Sequence, residues 1–464
     1  MSSSLVTLFC GAGGLDLGFH MTQNVDLFMA NEILETPLKS YSKNLHFPLV
    51  NLKDFKGQTP AAVLGDIQQF DFSIFDEKDT DIVVGGPPCQ DFSVLRGKQK
   101  RQGIEVKRGK LYSHFVRSLV HIQPKIFVFE NVPGLLTANE GEAYNVIYED
   151  FKDMSLRWKE VKKLVNNSSD LKICGYEILF SSVINMTHLG VPQARKRLII
   201  IGVRKDLVKN VGELFELKTM TEKIVKGTEN LFWKYPLTPI EVLEGNTLDH
   251  LEEDYKEIMK SYNDVWKDVN TAKAKKWFKT NWDILNFDIY KDYASLNNIK
   301  RFDEEEFEIA MKEHKAVLKM LHYYKKPVNS EEFPDGSNIR PNEQKRVIER
   351  MKRIPPGGNF ELVENTEWQV KGLMSGVYRR IHPIIPSPTI IAYGGGGTWG
   401  YHYRRDRGIM TNRERARLQT FPDWYVFEGS RQEVRAQIGE AVPPLASNKI
   451  ATAVENVVES LKED

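Results

Sequence analysis

The sequence predicts an α/β protein built on a doubly wound, mostly parallel sheet, with a second domain inserted late in the chain. Three observations predict it. Short apolar runs at 5–9, 25–30, 82–84 and 126–129 each end in a turn or a polar residue, the pattern of buried parallel strands. Strand, glycine turn and amphipathic helix follow one another directly over residues 5–19. At 464 residues the chain exceeds the usual single domain, and its composition changes after Arg204.

Hydrophobic residues make up 41% and charged residues 27%, as in ordinary globular proteins. Three cysteines without regular spacing exclude a disulfide scaffold and point to a reducing, cytoplasmic setting. The first residues lack a basic stretch, the apolar run 5–10 is too short for a signal peptide, and no run reaches membrane-spanning length. A net charge of +1 gives no argument for a polyanionic partner, which only local patterning supplies.

Residues 5–9 read as the first strand, followed by Cys10, Gly11, Ala12, Gly13 and Gly14 and a helical run over 15–19. Such a turn opens doubly wound folds and cradles phosphate or nucleotide groups. The match to the dinucleotide fingerprint is partial, because Asp16 stands where the last glycine would. Residues 25–30 form a second strand ending at Asn31 and Glu32. An acid about 20 residues after the glycine turn sits where nucleotide folds hold ribose hydroxyls; a solvated loop glutamate is the alternative. A third unit ends in Leu64, Gly65, Asp66 and Ile67.

The strand at 82–84 delivers Gly85, Gly86, Pro87, Pro88, Cys89 and Gln90. Two glycines and two prolines turn the chain sharply and hold it stiff, presenting one thiol at the carboxyl end of a sheet. A buried, inert cysteine is the other reading of that local sequence. Residues 96–110 carry Arg96, Lys98, Lys100, Arg101, Lys107, Arg108 and Lys110 against Glu105 alone. This stretch reads as a mobile basic loop, suited to closing over a polyanion or simply to solvation. A helix over 111–122 then precedes a strand at 126–129 that ends in Glu130. A carboxylate there is partly desolvated, which suits a group that must donate or share a proton. After a strand at 175–183, Gln193, Ala194, Arg195, Lys196 and Arg197 lead into an apolar run at 198–203. Strand formation does not call for arginines in that position, so they read as functional.

From about 205 to 375 the chain is Lys- and Glu-rich, helical in places, with Trp233, Trp266, Trp277, Trp282, Tyr323 and Tyr324 scattered through it. It reads as an inserted domain bounded by Tyr235-Pro236 and by the Pro/Gly stretch 354–358. Beyond it come a four-glycine run at 394–397 and the basic residues Arg404, Arg405 and Arg407. Thr411 and Glu414 form a capping box for a helix carrying Arg413, Arg415 and Arg417, of which Arg413 and Arg415 read as structural or phosphate-contacting. Residues 437–444 open the last helix, which shows roughly helical apolar spacing.

One thiol, one buried carboxylate, several arginines, a nucleotide-type turn and a basic loop suit thiolate attack on an electron-poor ring. Cytosine fits. Sulfur adding to carbon 6 makes carbon 5 an enamine-like nucleophile; a protonated Glu130 bonds ring nitrogen N3, and an arginine holds the carbonyl oxygen. Carbon 5 then takes a methyl group from a sulfonium donor.

These pieces and their order resemble the DNA (cytosine-5)-methyltransferases of the prokaryotic restriction-modification type. The resemblance rests on Phe9 to Gly14, Pro87 to Gln90, Glu130 to Val132, Gln193 with Arg195 and Arg197, the segment 411–423 and the segment 437–444. It covers 1–204 and about 376–464, and the insertion matches the family's target-recognition domain in position only. It implies a Rossmann-like, S-adenosylmethionine-dependent methyltransferase core at 1–204 and a target-recognition domain at 205–375. Residues 376–464 then complete the core, the last helix packing back on the N-terminal part.

The resemblance also implies roles. Cys89 is the covalent nucleophile, Glu130 grips N3 and the exocyclic amine, and Arg195 with Arg197 positions the base and its phosphates. Phe9 stacks on the cofactor adenine, and Gly11, Ala12, Gly13 and Gly14 cradle the methionine end. Glu32 bonds the ribose, Ile33 lies by the adenine, Asp66 and Ile67 meet the adenine edge, and Pro87 and Leu111 line the pocket. Glu440 and Ala441 complete it. The family commonly has Asn at the Glu440 position; Asn donates and accepts, whereas ionised Glu only accepts. Gln90, Ser93, Arg96, Lys98 and Arg101 contact double-stranded DNA. Within the insertion, Arg340, Lys345, Arg346, Arg350, Lys352 and Arg353 are the candidates for reading its sequence. The implied cofactor is S-adenosylmethionine, the implied partner in function a restriction endonuclease that is not stably bound, and the implied state a monomer without metal.

Other classes fit less well. A nicotinamide oxidoreductase leaves the Pro-Pro-Cys-Gln turn and the late arginine-rich helix without purpose. A zinc deaminase needs a second cysteine three positions after Cys89, where Phe92 stands. A silent binding module has no use for Cys89 and Glu130. A tRNA-directed relative is the nearest rival, and the large insertion favours DNA.

Overall fold

The computed structural model describes residues 2–75, 80–88, 111–154, 174–370, 378–392 and 400–462. The chain forms two compact units. One comprises Met1–Asn185, Lys196–Glu229 and Val442–Asp464, the other Met186–Arg195 and Asn230–Ala441.

The first unit is built on an eight-stranded sheet of β1 (Ser3–Leu8), β2 (Val25–Glu32), β3 (Leu49–Asn51), β4 (Ala61–Leu64), β5 (Ile82–Gly85), β6 (Ile126–Asn131), β7 (Tyr176–Asn185) and β8 (Lys196–Arg204). Their order is β3-β4-β2-β1-β5-β6-β8-β7. Neighbours from β3 to β6 are parallel, and β8 alone runs against both strands beside it. The central strands read as unbroken apolar runs because both their faces are covered; Val6, Leu8, Val83, Phe127, Val128 and Ile200 are fully buried. Among the described residues, helices α1 (Gly14–His20), α2 (Glu35–Leu45), α3 (Leu111–Ile122), α4 (Glu142–Lys152), α5 (Val211–Lys226) and α6 (Pro444–Ser460) belong to the same unit. Phe115 of α3 and Phe151 of α4 pack on Phe127 and Phe129 with ring centroids 4.6 to 6.1 Å apart.

Strand order reverses at β1, which lies between β2 and β5, so the carboxyl ends of β1 and β5 flank the switch point where open α/β sheets bind ligands. Leu8 and Gly85 pair side by side there. The last helix, α6, lies against α1. Gly18 permits it, since a Cβ there would come within 2.4 Å of the Asn448 backbone nitrogen. The Ser447 hydroxyl donates to the Leu15 carbonyl, and the Asn448 amide donates to the Gly18 carbonyl at 3.2 Å.

This division differs from the expected boundaries in two ways. Residues 205–229 stay with the sheet, because Leu217, Thr221 and Val225, spaced four apart, turn one buried face of α5 toward α6 and β7. Residues 376–441 belong to the second unit, and only the last 23 residues, Val442–Asp464, return. The Pro- and Gly-rich stretches are packed turns, not edges. Tyr235 is fully buried, its hydroxyl accepting the Asp303 N–H at 3.0 Å, and the Ile354 carbonyl accepts Arg380 Nε at 2.7 Å.

The second unit is mainly helical among the described residues and holds a short parallel pairing of Gln193–Ala194 with Ser387–Pro388. Its late arginines tie it together. Arg413 donates to Ser337 Oγ, Asp335 and the Tyr425 carbonyl at 2.8–2.9 Å. Arg417 reaches Asp423 and the Val242 and Lys326 carbonyls at 2.6–2.9 Å. Thr411 and Glu414 close a capping box on the helix Asn412–Leu418.

A buried ion pair sits at the heart of this unit. His314 Nδ1 lies 2.8 Å from Glu241 Oε1 and Nε2 lies 3.0 Å from the Tyr235 carbonyl, with Phe232 stacked on the ring. Both partners only accept, so both ring nitrogens carry protons and His314 is an imidazolium. Burial alone would lower its pKa; the Glu241 charge and the two acceptors outweigh burial and raise it. Its stabilisation is therefore complete below the unfolded value of about 6.5 and is lost as pH climbs through the higher folded value. His314→Gln should cost about 3 kcal/mol at pH 6, and the gap in Tm from wild type should narrow toward pH 9. Thermal unfolding across that range checks it; a gap independent of pH would contradict the imidazolium.

Candidate active site

At the switch point, β1 runs into a turn of left-handed residues. Phe9, Gly11 and Gly13 have φ of 58°, 55° and 74°. Glycine adopts that region freely, and at Gly13 a Cβ would also strike the Tyr41 ring at 2.5 Å. Glu32, at the end of β2, closes the turn. Its Oε2 accepts the Gly11 N–H at 2.9 Å, and its Oε1 accepts those of Ile33 and Leu34 at 2.9 and 3.0 Å. Burial raises the pKa of this carboxyl, and the three N–H donors oppose the rise. Asn31 extends the brace, donating to the Val63 and Gly65 carbonyls at 3.1 Å. Asp66 Oδ1 accepts the Gln68 N–H at 2.9 Å and Ile67 is buried behind it.

Ala12, Gly13 and Gly14 are buried, whereas Ile33 is 60% exposed, and a Cβ at Gly11 would meet nothing within 4 Å. The turn thus presents open backbone, an acid with acceptor capacity left on Oε2, and an uncovered apolar side chain. Asp16, the departure from the dinucleotide fingerprint, is buried and accepts the Tyr41 hydroxyl at 3.2 Å; burial pushes its carboxyl up to about 6. Cys10 is buried as well, and burial with Asp16 and Glu32 nearby holds its thiol well above the ordinary value. A thiol kept buried and protonated is a poor nucleophile.

The second cluster lies at the carboxyl ends of β5 and β6. In the antiparallel ladder Glu130 sits opposite Ile199, so Arg197, two residues earlier on β8, shares its face of the sheet. Arg197 Nε meets Glu130 Oε1 at 2.9 Å, with both side chains about 85% buried (15% and 13% exposed). Burial lowers the Arg197 pKa, and Glu130 draws it back. Nη1 donates to the Lys196 carbonyl at 2.8 Å, while Nη2 takes no partner among the described residues. Gly86 makes room for the carboxylate: a Cβ there would lie 2.8 Å from Glu130 Oε2. Asn131 Nδ2 donates to the Pro87 carbonyl at 3.3 Å, clamping the Gly-Gly-Pro-Pro turn to β6. Cys89 follows Pro88 directly; it, Gln90, Ser93, Arg96, Lys98 and Arg101 lie outside the described residues, as does the glycine run 394–397. Leu111 opens α3 and packs on the apolar core.

Arg195 departs from the expected partnership with Arg197. It is 1% exposed, and its guanidinium donates to the carbonyls of Ile390, Gly439 and Ala441 at 2.9–3.1 Å, all within the second unit. A guanidinium so occupied at Nη1 and Nη2 is a structural tie within the second unit. Glu440 is the exposed end of the helix Arg431–Glu440, and Ala441 caps it while its carbonyl takes the Arg195 bond. Tyr41, Asn31 and Asn131 shape the two clusters without having been singled out from the sequence. The signal for the two asparagines was present, since each ends an apolar strand where a polar residue has no packing reason to be. No group of three or more His, Cys, Asp or Glu able to hold a metal occurs among the described residues.

A doubly wound sheet with one reversed strand, and a glycine turn braced by an acid at the switch point, define a Rossmann-like, S-adenosylmethionine-dependent methyltransferase fold. The chain belongs to the C-5 cytosine-specific DNA methylases, whose family model matches residues 3–456. It is a DNA (cytosine-5-)-methyltransferase. M.ApeKI, a DNA (cytosine-5-)-methyltransferase of Aeropyrum pernix, is 50% identical over 465 residues and covers 99% of both chains. The Type II methyltransferase M.NgoFVII of Neisseria gonorrhoeae is 32% identical over 451 residues, 97% of this chain and 86% of its own. Among solved structures, a DNA modification methyltransferase encoded within a prophage of E. coli has a TM-score of 0.54 at 21% identity, covering 99% of this chain and 100% of that one, a likeness of fold.

Gly86→Ala should displace the Glu130 carboxylate by about an ångström and lower the methylation rate about 100-fold with the fold intact. Single-turnover methylation beside circular dichroism checks this; a rate within a few-fold of wild type would show that the carboxylate has room to spare.

Proposed function

We propose that the enzyme turns a target cytosine out of duplex DNA, adds the Cys89 sulfur to carbon 6 and methylates carbon 5 within a short specific sequence. The Glu130–Arg197 pair beside the turn that leads into Cys89 carries this reading. Neither face of carbon 6 can be reached inside the base stack, so the base has to leave it. Attack by the thiolate builds negative charge on N3 and O2 of the ring. The Glu130 carboxyl shares a proton with N3, and the Nη2 donors of Arg197 hold O2. With the sulfur bonded, carbon 5 is the nucleophile; after it takes the methyl group, loss of its proton and departure of the Cys89 thiolate restore the aromatic ring.

The first turn fits S-adenosylmethionine, which supplies an electrophilic methyl group from its sulfonium. Open backbone at Gly11, spare acceptor capacity on Glu32 Oε2, the uncovered Ile33 and the second oxygen of Asp66, unpartnered among the described residues, suit a nucleoside. Phe9, Gly11, Glu32, Ile33, Asp66 and Ile67 would hold it.

The second unit would read the DNA sequence, with base contacts in a groove and phosphate contacts around them. Of the candidate readers, Arg350 is bonded to the Trp368 carbonyl, Arg353 to Asp268 and Glu349, and Lys352 to Glu349. Arg340 and Lys345 are exposed and better suited. The Type II designation of the Neisseria relative supports a role in protecting host DNA from a cognate endonuclease.

Cys89→Ser should abolish methyl transfer while DNA binding stays within a few-fold, and Glu130→Gln should slow transfer at least about 100-fold without unfolding. The deciding assay is methylation of unmodified phage DNA with S-adenosylmethionine, read by base-resolution bisulfite sequencing. Methylcytosine confined to one short motif supports the reading. Turnover by Cys89→Ser would overturn the covalent mechanism, and methylation of tRNA alone would overturn the substrate.

A further inference from the structure

We propose that Arg117 is a positioning residue for the adenine end of the cofactor site, acting by fixing the Asp66–Ile67 turn against α3. The proposal rests on the reading of that turn as the contact to the adenine edge.

Arg117 is a buried cation in an unusual setting. It is 6% exposed, its Nη2 donates to the Ile67 carbonyl at 2.6 Å, and its guanidinium carbon lies 4.9 Å from the centre of the Phe72 ring. Nε is buried and has no partner among the described residues, and Asp71 acts on the charge only at longer range. Burial lowers the guanidinium pKa to about 10. A buried guanidinium with one strong bond and no ion pair is unfavourable next to an apolar side chain of similar volume. What the guanidinium adds, and an apolar residue could not, is a directed bond to one carbonyl.

That carbonyl is where the turn needs a hold. Upstream, the turn is anchored to β2: the Gly65 N–H donates to the Glu32 carbonyl at 2.9 Å, and Asn31 Nδ2 donates to the Gly65 carbonyl at 3.1 Å. Within it, Asp66 Oδ1 takes the Gln68 N–H at 2.9 Å and the Ile67 carbonyl takes the Phe70 N–H at 3.2 Å, both local bonds that move with the turn. Arg117 supplies the side-chain bond that holds the downstream side to a separate element. With both sides held, the remaining Asp66 oxygen keeps one position, as a selective acceptor for an exocyclic amine must. Without Arg117 the turn keeps its bonds to β2 and the apolar packing of Ile67 and Phe70, and loses its directed bond to α3.

The test measures binding by calorimetry, with S-adenosylhomocysteine and with S-inosylhomocysteine, in which an oxygen replaces the adenine amine. Wild type should prefer the adenosyl compound about 10-fold or more. Arg117→Gln should weaken the adenosyl compound about 10-fold, leave the inosyl compound nearly unchanged, and so bring the ratio toward one. Arg117→Lys, which keeps a donor for the Ile67 carbonyl, should restore part of the preference. Equal weakening of both compounds, or an unchanged ratio in both variants, would overturn the proposal and leave Arg117 as packing. If Arg117→Gln does not fold, the ratio in Arg117→Lys decides: it should lie between one and the wild-type value, and an unaltered ratio overturns the proposal. No preference in wild type would instead overturn the reading of Asp66 on which the proposal stands.

Discussion

The reversal of one strand governs the chemistry of the sheet. Glu130 lies next to the carboxyl end of β6, and Arg197 reaches it only because β8 runs the other way. In a parallel β8 the second residue of the strand would lie beside Ile126, the full length of a strand away from Glu130. Antiparallel pairing brings the start of β8 to the end of β6, and the two-residue alternation of a strand sets Arg197 on the carboxylate's face. The arginine-rich lead into an apolar strand is thus a consequence of direction. Its second charged position, Lys196, is exposed at the same end.

Glycine acts beside that pair by what it lacks. Gly85 runs against β1 and Phe115, and Gly86 against the Glu130 carboxylate; a methyl group at either position would fall within 3.0 Å of a neighbour. The same logic recurs at Gly13 over Tyr41. At Gly13, Gly85 and Gly86, then, a side chain would have to displace a neighbour. The acids differ in how their charge is met. Glu130 faces a guanidinium, whereas Glu32 faces three backbone N–H groups and keeps an acceptor site open. The first arrangement suits a group that exchanges partners during a reaction, the second a group that holds a turn and a ligand together.

Much of the sheet could be read from the sequence, because strands buried on both faces leave unbroken apolar runs that little else produces. The glycine turn, Glu32 and the Glu130–Arg197 region were legible for a related reason: polar or glycine residues at strand ends have no packing role to explain them. Boundaries were not legible. Tyr235-Pro236 and the stretch at 354–358 have the composition of linkers, yet Tyr235 is fully buried and Arg380 binds the Ile354 carbonyl. Proline and glycine report that a chain turns, and they say nothing about whether the turn is covered. Arg195 and Arg197 look alike in sequence. Only tertiary acceptors separate them, three carbonyls for one and a carboxylate for the other.

The late basic residues extend the same point from single positions to a whole surface. After residue 376 the chain is dense in arginine, which invites the inference of a cationic face for DNA. Yet Arg380 is fully buried among the carbonyls of Met351, Ile354 and Arg404, and Arg404 pairs with Glu244 and Asp254. Arg405 pairs with Asp264, Arg407 with Glu414, Arg413 with Asp335 and Arg417 with Asp423. Each of these charges is met inside the second unit, so together they make its frame and add little to an outward field. Arginine suits that work because its planar fork serves several carbonyls or a carboxylate at once and stays charged when buried. Counter-ion release on DNA has to come from cations that lack such acceptors, which makes the exposed Arg340 and Lys345 better candidates than the arginine-dense segment itself.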